Sequence, residues 1–120
     1  MAEERRKAVR LKEENDVVMT IISGGENLPK ERIYSISTDI SPYGTRIQTT
    51  SILPVDTNLD ITVTLKEPPQ MIKAFAKVKW IKRHPVVEVY EAGLEFFDTS
   101  SEITRQLTDY ISWKQQSKKT

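Results

Sequence analysis

Two short clusters in the 120-residue chain hold side chains suited to binding a ligand. The first is basic, with Arg5, Arg6 and Arg10 close together near the start. The second is Asp39-Ile40-Ser41-Pro42-Tyr43-Gly44, a carboxylate, a hydroxyl and a glycine at fixed offsets. A guanidinium is planar and can fork onto O6 and N7 of guanine, or clamp two oxygens of a phosphate. Its flat face also stacks on a purine. A carboxylate accepts from the N1–H and N2–H of guanine, a serine hydroxyl donates or accepts, and a glycine lets a ligand approach the backbone. Taken together the clusters suit a guanine nucleotide, each bidentate contact being worth roughly 1–3 kcal/mol of discrimination. Each also has a plainer reading: Asp, Ser, Pro and Gly are ordinary turn residues, and sorted charges near a chain end are those of a solvated tail.

The elements around the clusters decide how they are held. The hexapeptide falls between two strand-like runs, residues 32–37 and 45–49, so it predicts a tight turn. Pro42 pre-sets one backbone angle, and Gly44 is free to take a positive φ. The basic cluster lies in residues 1–16, which are almost entirely polar and predict a flexible arm. The core is expected to begin at Val17, with a β-branched strand over 17–22 and a loop over 23–27. Residues 31–39 alternate but mix polar and apolar side chains on each face; residues 44–49 form the next strand.

The alternation is cleanest over 59–66, where Leu59, Ile61, Val63 and Leu65 share one face. Pro68 and Pro69 demand a bend. A long strand over 72–81 puts Ile72, Ala74, Ala76, Val78 and Trp80 on one face and lysines on the other. The last strand spans 86–97, with Gly93 marking a bulge, a bend or a close backbone approach. Phe75, Trp80, Phe96 and Phe97 are assigned to the core. The period then changes. Thr99 and Glu102 form a capping box, and Ile103, Leu107, Tyr110 and Ile111 recur at helical spacing, predicting a helix over about 99–117. Six or seven antiparallel strands and one C-terminal α-helix argue for a small all-β barrel, with the helix over an open end. The expected organisation is one functional domain, an arm over 1–16 and the barrel with its helix over 17–120.

Composition excludes several function classes. The chain is 38% hydrophobic and 29% charged, as a globular domain is. A net charge of +1 supplies no global field to draw it onto nucleic acid or membrane. With no cysteine there is no disulfide, thiolate metal site or cysteine nucleophile. No run approaches the roughly 20 apolar residues that cross a bilayer, and no apolar segment follows the charged start. A cytoplasmic location is expected. His84 is the single histidine, and Gly24, Gly25, Gly44 and Gly93 fit no phosphate-loop fingerprint. No catalytic residue, metal ligand or cofactor is predicted, so an enzyme is not expected.

The order of the motifs resembles a known family. Arg6-Lys7-Ala8-Val9-Arg10 fits the RxxxR motif of PilZ domains, and Asp39 to Gly44 fits their [D/N]xSxxG motif. Val78-Lys79-Trp80, Tyr90-x-x-Gly93-Leu94-Glu95-Phe96 and a terminal helix with Tyr110-Ile111 extend the resemblance over nearly the whole chain. It implies a six-stranded β-barrel with a C-terminal helix that binds the bacterial second messenger cyclic di-GMP. It implies that Arg6 and Arg10 hold guanine and phosphate, that Asp39 and Ser41 meet a guanine, and that Gly44 serves the turn. Arg5, just before the first motif, would admit an intercalated ligand dimer. The arm is expected to be loose without ligand and folded over it when bound. A lone receiver of this kind would be an adaptor acting on an unidentified effector protein. The competing expectation is a PilZ-like interaction module that binds no nucleotide.

Overall fold

The computed structural model describes residues 9–22 and 31–118. Six strands close into one antiparallel barrel: β1 (Leu11–Ile21), β2 (Arg32–Ser41), β3 (Gly44–Thr49), β4 (Asn58–Lys66), β5 (Pro69–Arg83) and β6 (Tyr90–Phe97). They run around it in the order β1-β2-β3-β6-β5-β4. One helix, α1 (Ser101–Lys118), follows. Closure leaves the sheet without a free edge.

Alternation explains which residues fill the barrel. In β4 the expected face, Leu59, Ile61, Val63 and Leu65, is fully buried, while Asp60 and Lys66 face out. Val17 and Met19 from β1, Ile72, Ala76 and Val78 from β5, and Ala92, Leu94 and Phe96 from β6 join them in one core. Leu53, in the β3–β4 connection, is buried in the same core. Pro69 opens β5, the place in a strand where a missing N–H is tolerated, and the Glu67–Pro68 peptide before it is cis.

Three bulges shift the pattern away from simple alternation. β1 pairs with β2 from Leu11 onward, not from Val17, with a register jump between Lys12 and Asn15. Leu11 is fully buried and in phase with Val17 and Met19; the polar run from Lys12 to Asp16 is what makes it read as part of an arm. In β2 the register shifts between Ser37 and Asp39. Ser35 and Ser37 are buried before that point; after it Asp39, Ile40 and Ser41 are buried in succession, with Ile40 in the core, so the mixed faces of the sequence reflect a strand whose alternation breaks at the bulge.

The third shift lies between Val78 and Trp80 in β5. It turns Trp80 out of the core, leaving it 38% exposed, and Phe75 is likewise exposed and stacked on Phe97 with ring centroids 5.9 Å apart. The assignment of Trp80 and Phe75 to the core is thus corrected. β6 also starts at Tyr90 rather than 86. Before it His84 Nδ1 accepts the backbone N–H groups of Val86 and Val87 at 3.2 and 3.3 Å, which curls the segment into a loop.

The helix begins one turn residue later than the capping box suggested. Asp98 has φ 50°, which ends β6. Ser100, not Thr99, is the cap: its Oγ accepts the N–H of Ile103 at 3.2 Å. Leu107, Tyr110 and Ile111 bury the apolar stripe of α1 in the barrel core. Gln106 reaches Gln70 at 2.7 Å, and the Tyr110 hydroxyl accepts the N–H of Glu67 at 3.5 Å, so α1 lies over the end of the barrel where β4 turns into β5. No helix among the described residues is long and apolar enough to cross a membrane.

Glu13, inside the β1 bulge, also meets α1. Its carboxylate accepts from the Tyr110 hydroxyl at 2.7 Å and from Asn15 Nδ2 at 3.0 Å, and pairs with Lys114 Nζ at 3.1 Å. Burial pushes the Glu13 carboxyl up, but those hydrogen bonds and the lysine charge outweigh it and hold it below its ordinary 4.5. A depressed carboxylate adds stability above its unfolded value, and the contribution fades as pH falls through the lower folded value. Thermal unfolding of Glu13→Gln against the unaltered chain checks this. Glu13→Gln is expected to melt lower at pH 7, with the gap closing below pH 4.5. A gap that does not change with pH would remove Glu13 from the account.

Candidate functional site

The two sequence motifs converge at the α1 end of the barrel. Pro42 and Tyr43 make a two-residue turn between β2 and β3, with Ser41 opposite Gly44. Ser41 Oγ accepts the Tyr43 N–H at 3.1 Å and donates to the Gly44 carbonyl at 3.4 Å, so this buried hydroxyl organises the turn. Gly44 does not take the positive φ expected of it. Its need is space: a Cβ there would collide with the backbone carbonyl of Leu94 on β6. The Phe96 N–H donates to the Tyr43 carbonyl at 2.9 Å and holds the turn against that strand.

Asp39 is fixed from behind. Thr45 Oγ1 donates to the Asp39 carbonyl at 2.7 Å and lies 2.7 Å from Ser37 Oγ, both hydroxyls being buried. The bulge beside Asp39 sends Ile40 inward and Asp39 to the other face. There its carboxylate meets Arg10 across 29 residues of sequence: Arg10 Nε and Nη2 both donate to Oδ1, at 3.1 and 2.6 Å. The Asp39 side chain is 9% exposed and that of Arg10 48%. The β1–β2 register makes the meeting possible, because Lys12 pairs with Asp39 and Leu11 with Ile40. The structure thus brings Arg10, Asp39, Ser41 and Gly44 together. Arg5 and Arg6, with the rest of residues 1–8 of the expected arm, lie outside the described residues.

Two residues to which the sequence reading gives no role in the site, Arg46 and Trp80, extend this corner. Arg46 Nε stands 3.7 Å from Asp39 Oδ2, which gives the carboxylate a second cation. The Arg46 guanidinium also lies 5.7 Å from the centroid of the Trp80 ring. The Trp80 indole covers Gly93, where a Cβ would strike it. Register links them in one row around the barrel: Asp39 with Arg46, Arg46 with Gly93, Gly93 with Trp80. The sequence leaves a bulge, a bend or a close backbone approach open at Gly93; what stands over it is the Trp80 side chain.

The row presents two partly exposed guanidiniums around one shielded carboxylate, with an indole at its end. It suits an anion with a flat, hydrogen-bonding ring: arginines for phosphate or the acceptor edge, Asp39 for ring N–H groups, the indole for a ring face. The described residues contain no cluster of side chains suited to a metal ion.

The comparisons with known proteins bear on the fold. Among solved structures, the Bacillus subtilis inhibitor of motility, MotI/DgrA, superposes with a TM-score of 0.78 at 23% identity, covering 97% of this chain and 54% of that one. The PilZ domain of Escherichia coli YcgR, solved with c-di-GMP, superposes with a TM-score of 0.71 at 15% identity, covering 96% and 95%. The K. pneumonia MrkH–c-di-GMP complex gives 0.72 at 18% identity, covering 97% and 56%. The chain spans about half the length of MotI/DgrA and of MrkH. No curated protein matches it. These identities carry the fold, and the fold is theirs: a closed six-stranded antiparallel barrel with one C-terminal helix. The PilZ domain model matches residues 4–113, nearly the full length, and the chain belongs to the PilZ domain family.

Proposed function

We propose that the chain is a cyclic di-GMP receptor. The observation that carries the reading is the Arg10–Asp39 pair, with Arg46 and Trp80 aligned beside it. It combines the cations, acceptor and flat face that a guanine nucleotide engages. Two of the similar structures hold c-di-GMP, those of the YcgR PilZ domain and of MrkH.

In this reading Arg6 and Arg10 take guanine and phosphate, Asp39 and Ser41 take a guanine edge, and Gly44 keeps the turn tight. Arg5 extends the site to a second, intercalated ligand. The ligand enters by prising Arg10 from Asp39, since each occupies the other in the free protein. The arm closes over it, and the new surface signals to an effector protein. The chain catalyses nothing and works in the cytoplasm.

Calorimetric titration with cyclic di-GMP, with GTP as control, tests the proposal. Saturable heat from the cyclic dinucleotide alone is expected, and the molar ratio counts the ligands. Absence of heat from a folded sample would overturn the receptor reading. It would favour the ligand-free interaction module, for which the internally satisfied Arg10–Asp39 pair is the supporting observation.

A further inference from the structure

The start of β1 is tied to α1 by one side chain. Between the Lys12–Asp39 and Asn15–Ser37 pairs, Glu13 and Glu14 stand outside the β1–β2 ladder. The first rungs, which carry Arg10 into place, are thereby separated from the rest of the strand. Glu13 fills that gap with three donors on one carboxylate: Tyr110 Oη at 2.7 Å, Asn15 Nδ2 at 3.0 Å and Lys114 Nζ at 3.1 Å. The pair is shielded, with 20% of the Glu13 side chain and 14% of the Lys114 side chain exposed, unlike the solvated ion pairs that contribute little. Tyr110 in turn takes the Glu67 N–H, so the contact joins β1, the β4–β5 turn and the second half of α1.

The stripe of Leu107, Tyr110 and Ile111 already seats α1 in the core. What Glu13 adds is a link between that helix and the segment three residues from Arg10, about 10 Å along an extended chain. We propose that Glu13 is a positioning residue: by clamping the start of β1 to Tyr110 and Lys114 it sets where Arg10 stands for the ligand, and makes α1 sense whether the ligand is bound. The inference rests on the receptor reading above. Because coupling between two sites is reciprocal, a clamp that favours binding must itself be tightened by the ligand by the same factor.

The test uses the full chain and cyclic di-GMP as the probe. Calorimetry is run on the unaltered protein, Glu13→Gln, Tyr110→Phe, the double variant and Lys114→Met, each shown to be folded by its thermal transition. Amide hydrogen exchange over residues 107–118 is followed with and without ligand. The single variants at Glu13 and Tyr110 are expected to weaken binding about five- to tenfold, within the usual range of coupling. The double variant should be no weaker than either single one, since both break the same clamp. Lys114→Met, which leaves the barrel core intact, should weaken binding in the same direction. Ligand should slow exchange in the second half of α1 in the unaltered chain and not in the variants. Unchanged affinity in the variants, multiplicative loss in the double variant, or helix exchange indifferent to ligand would each overturn the clamp while leaving the receptor reading intact. Failure of the unaltered chain to bind would overturn both.

Discussion

Asp39→Ala is expected to weaken cyclic di-GMP binding about 10- to 100-fold, the scale set by loss of one bidentate contact. It is expected to leave the barrel folded. The reason lies in how Asp39 is built into β2. Its backbone carbonyl is held by Thr45, which also bonds Ser37, and neither contact involves the carboxylate. The neighbouring Ile40, not Asp39, contributes to the core. Removing the carboxylate frees Arg10, whose half-exposed side chain can return to water. The cost to stability should be about 1 kcal/mol. Arg10→Ala is its counterpart and should lose affinity to a similar extent, with binding to the unaltered chain weakening as salt is raised. Calorimetry paired with thermal unfolding separates lost binding from lost fold. Affinity unchanged in both variants would place any nucleotide site elsewhere.

Gly44→Ala should act in the opposite way, through the fold. The Cβ would meet the Leu94 carbonyl oxygen, and a backbone atom in a ladder cannot swing aside as a side chain can. Gly44 pairs with Glu95 on one side and Ser41 on the other, and the adjacent Tyr43 carbonyl is bonded to Phe96. Relief therefore requires β3 and β6 to part at the turn that also positions Ser41. Overpacking of this kind costs about 3 kcal/mol or more. Chemical denaturation is the measurement: the midpoint should fall with little change in slope. An unaltered midpoint would mean that the β3–β6 seam has slack, and that Gly44 is present for the ligand rather than for the barrel.

Much of this architecture is legible in the sequence. The β4 face of Leu59, Ile61, Val63 and Leu65 was read by alternation and is fully buried. The helix, its stripe of Leu107, Tyr110 and Ile111, the prolines at the bend and the turn at Pro42–Tyr43 were all read from local signals. The clearest departure sits at the β5 bulge. An extra residue inverts every side chain beyond it, so Trp80 turns from core to surface without any change in local propensity; Leu11 keeps the phase of Val17 and Met19 and is masked instead by the charged residues around it. Arg46 escaped notice for a related reason: one arginine on a strand says nothing until its neighbours on other strands are known.

The periods, the turn chemistry and the residues of each motif are legible along the chain, because each depends on positions a few residues apart. Folding of the barrel brings Arg10 to Asp39 across 29 residues, sets Arg46 and Trp80 in the same row, and joins Glu13 to Tyr110 across 97. Those meetings follow from strand register and barrel closure, in which a shift of one residue sends every partner to the opposite face.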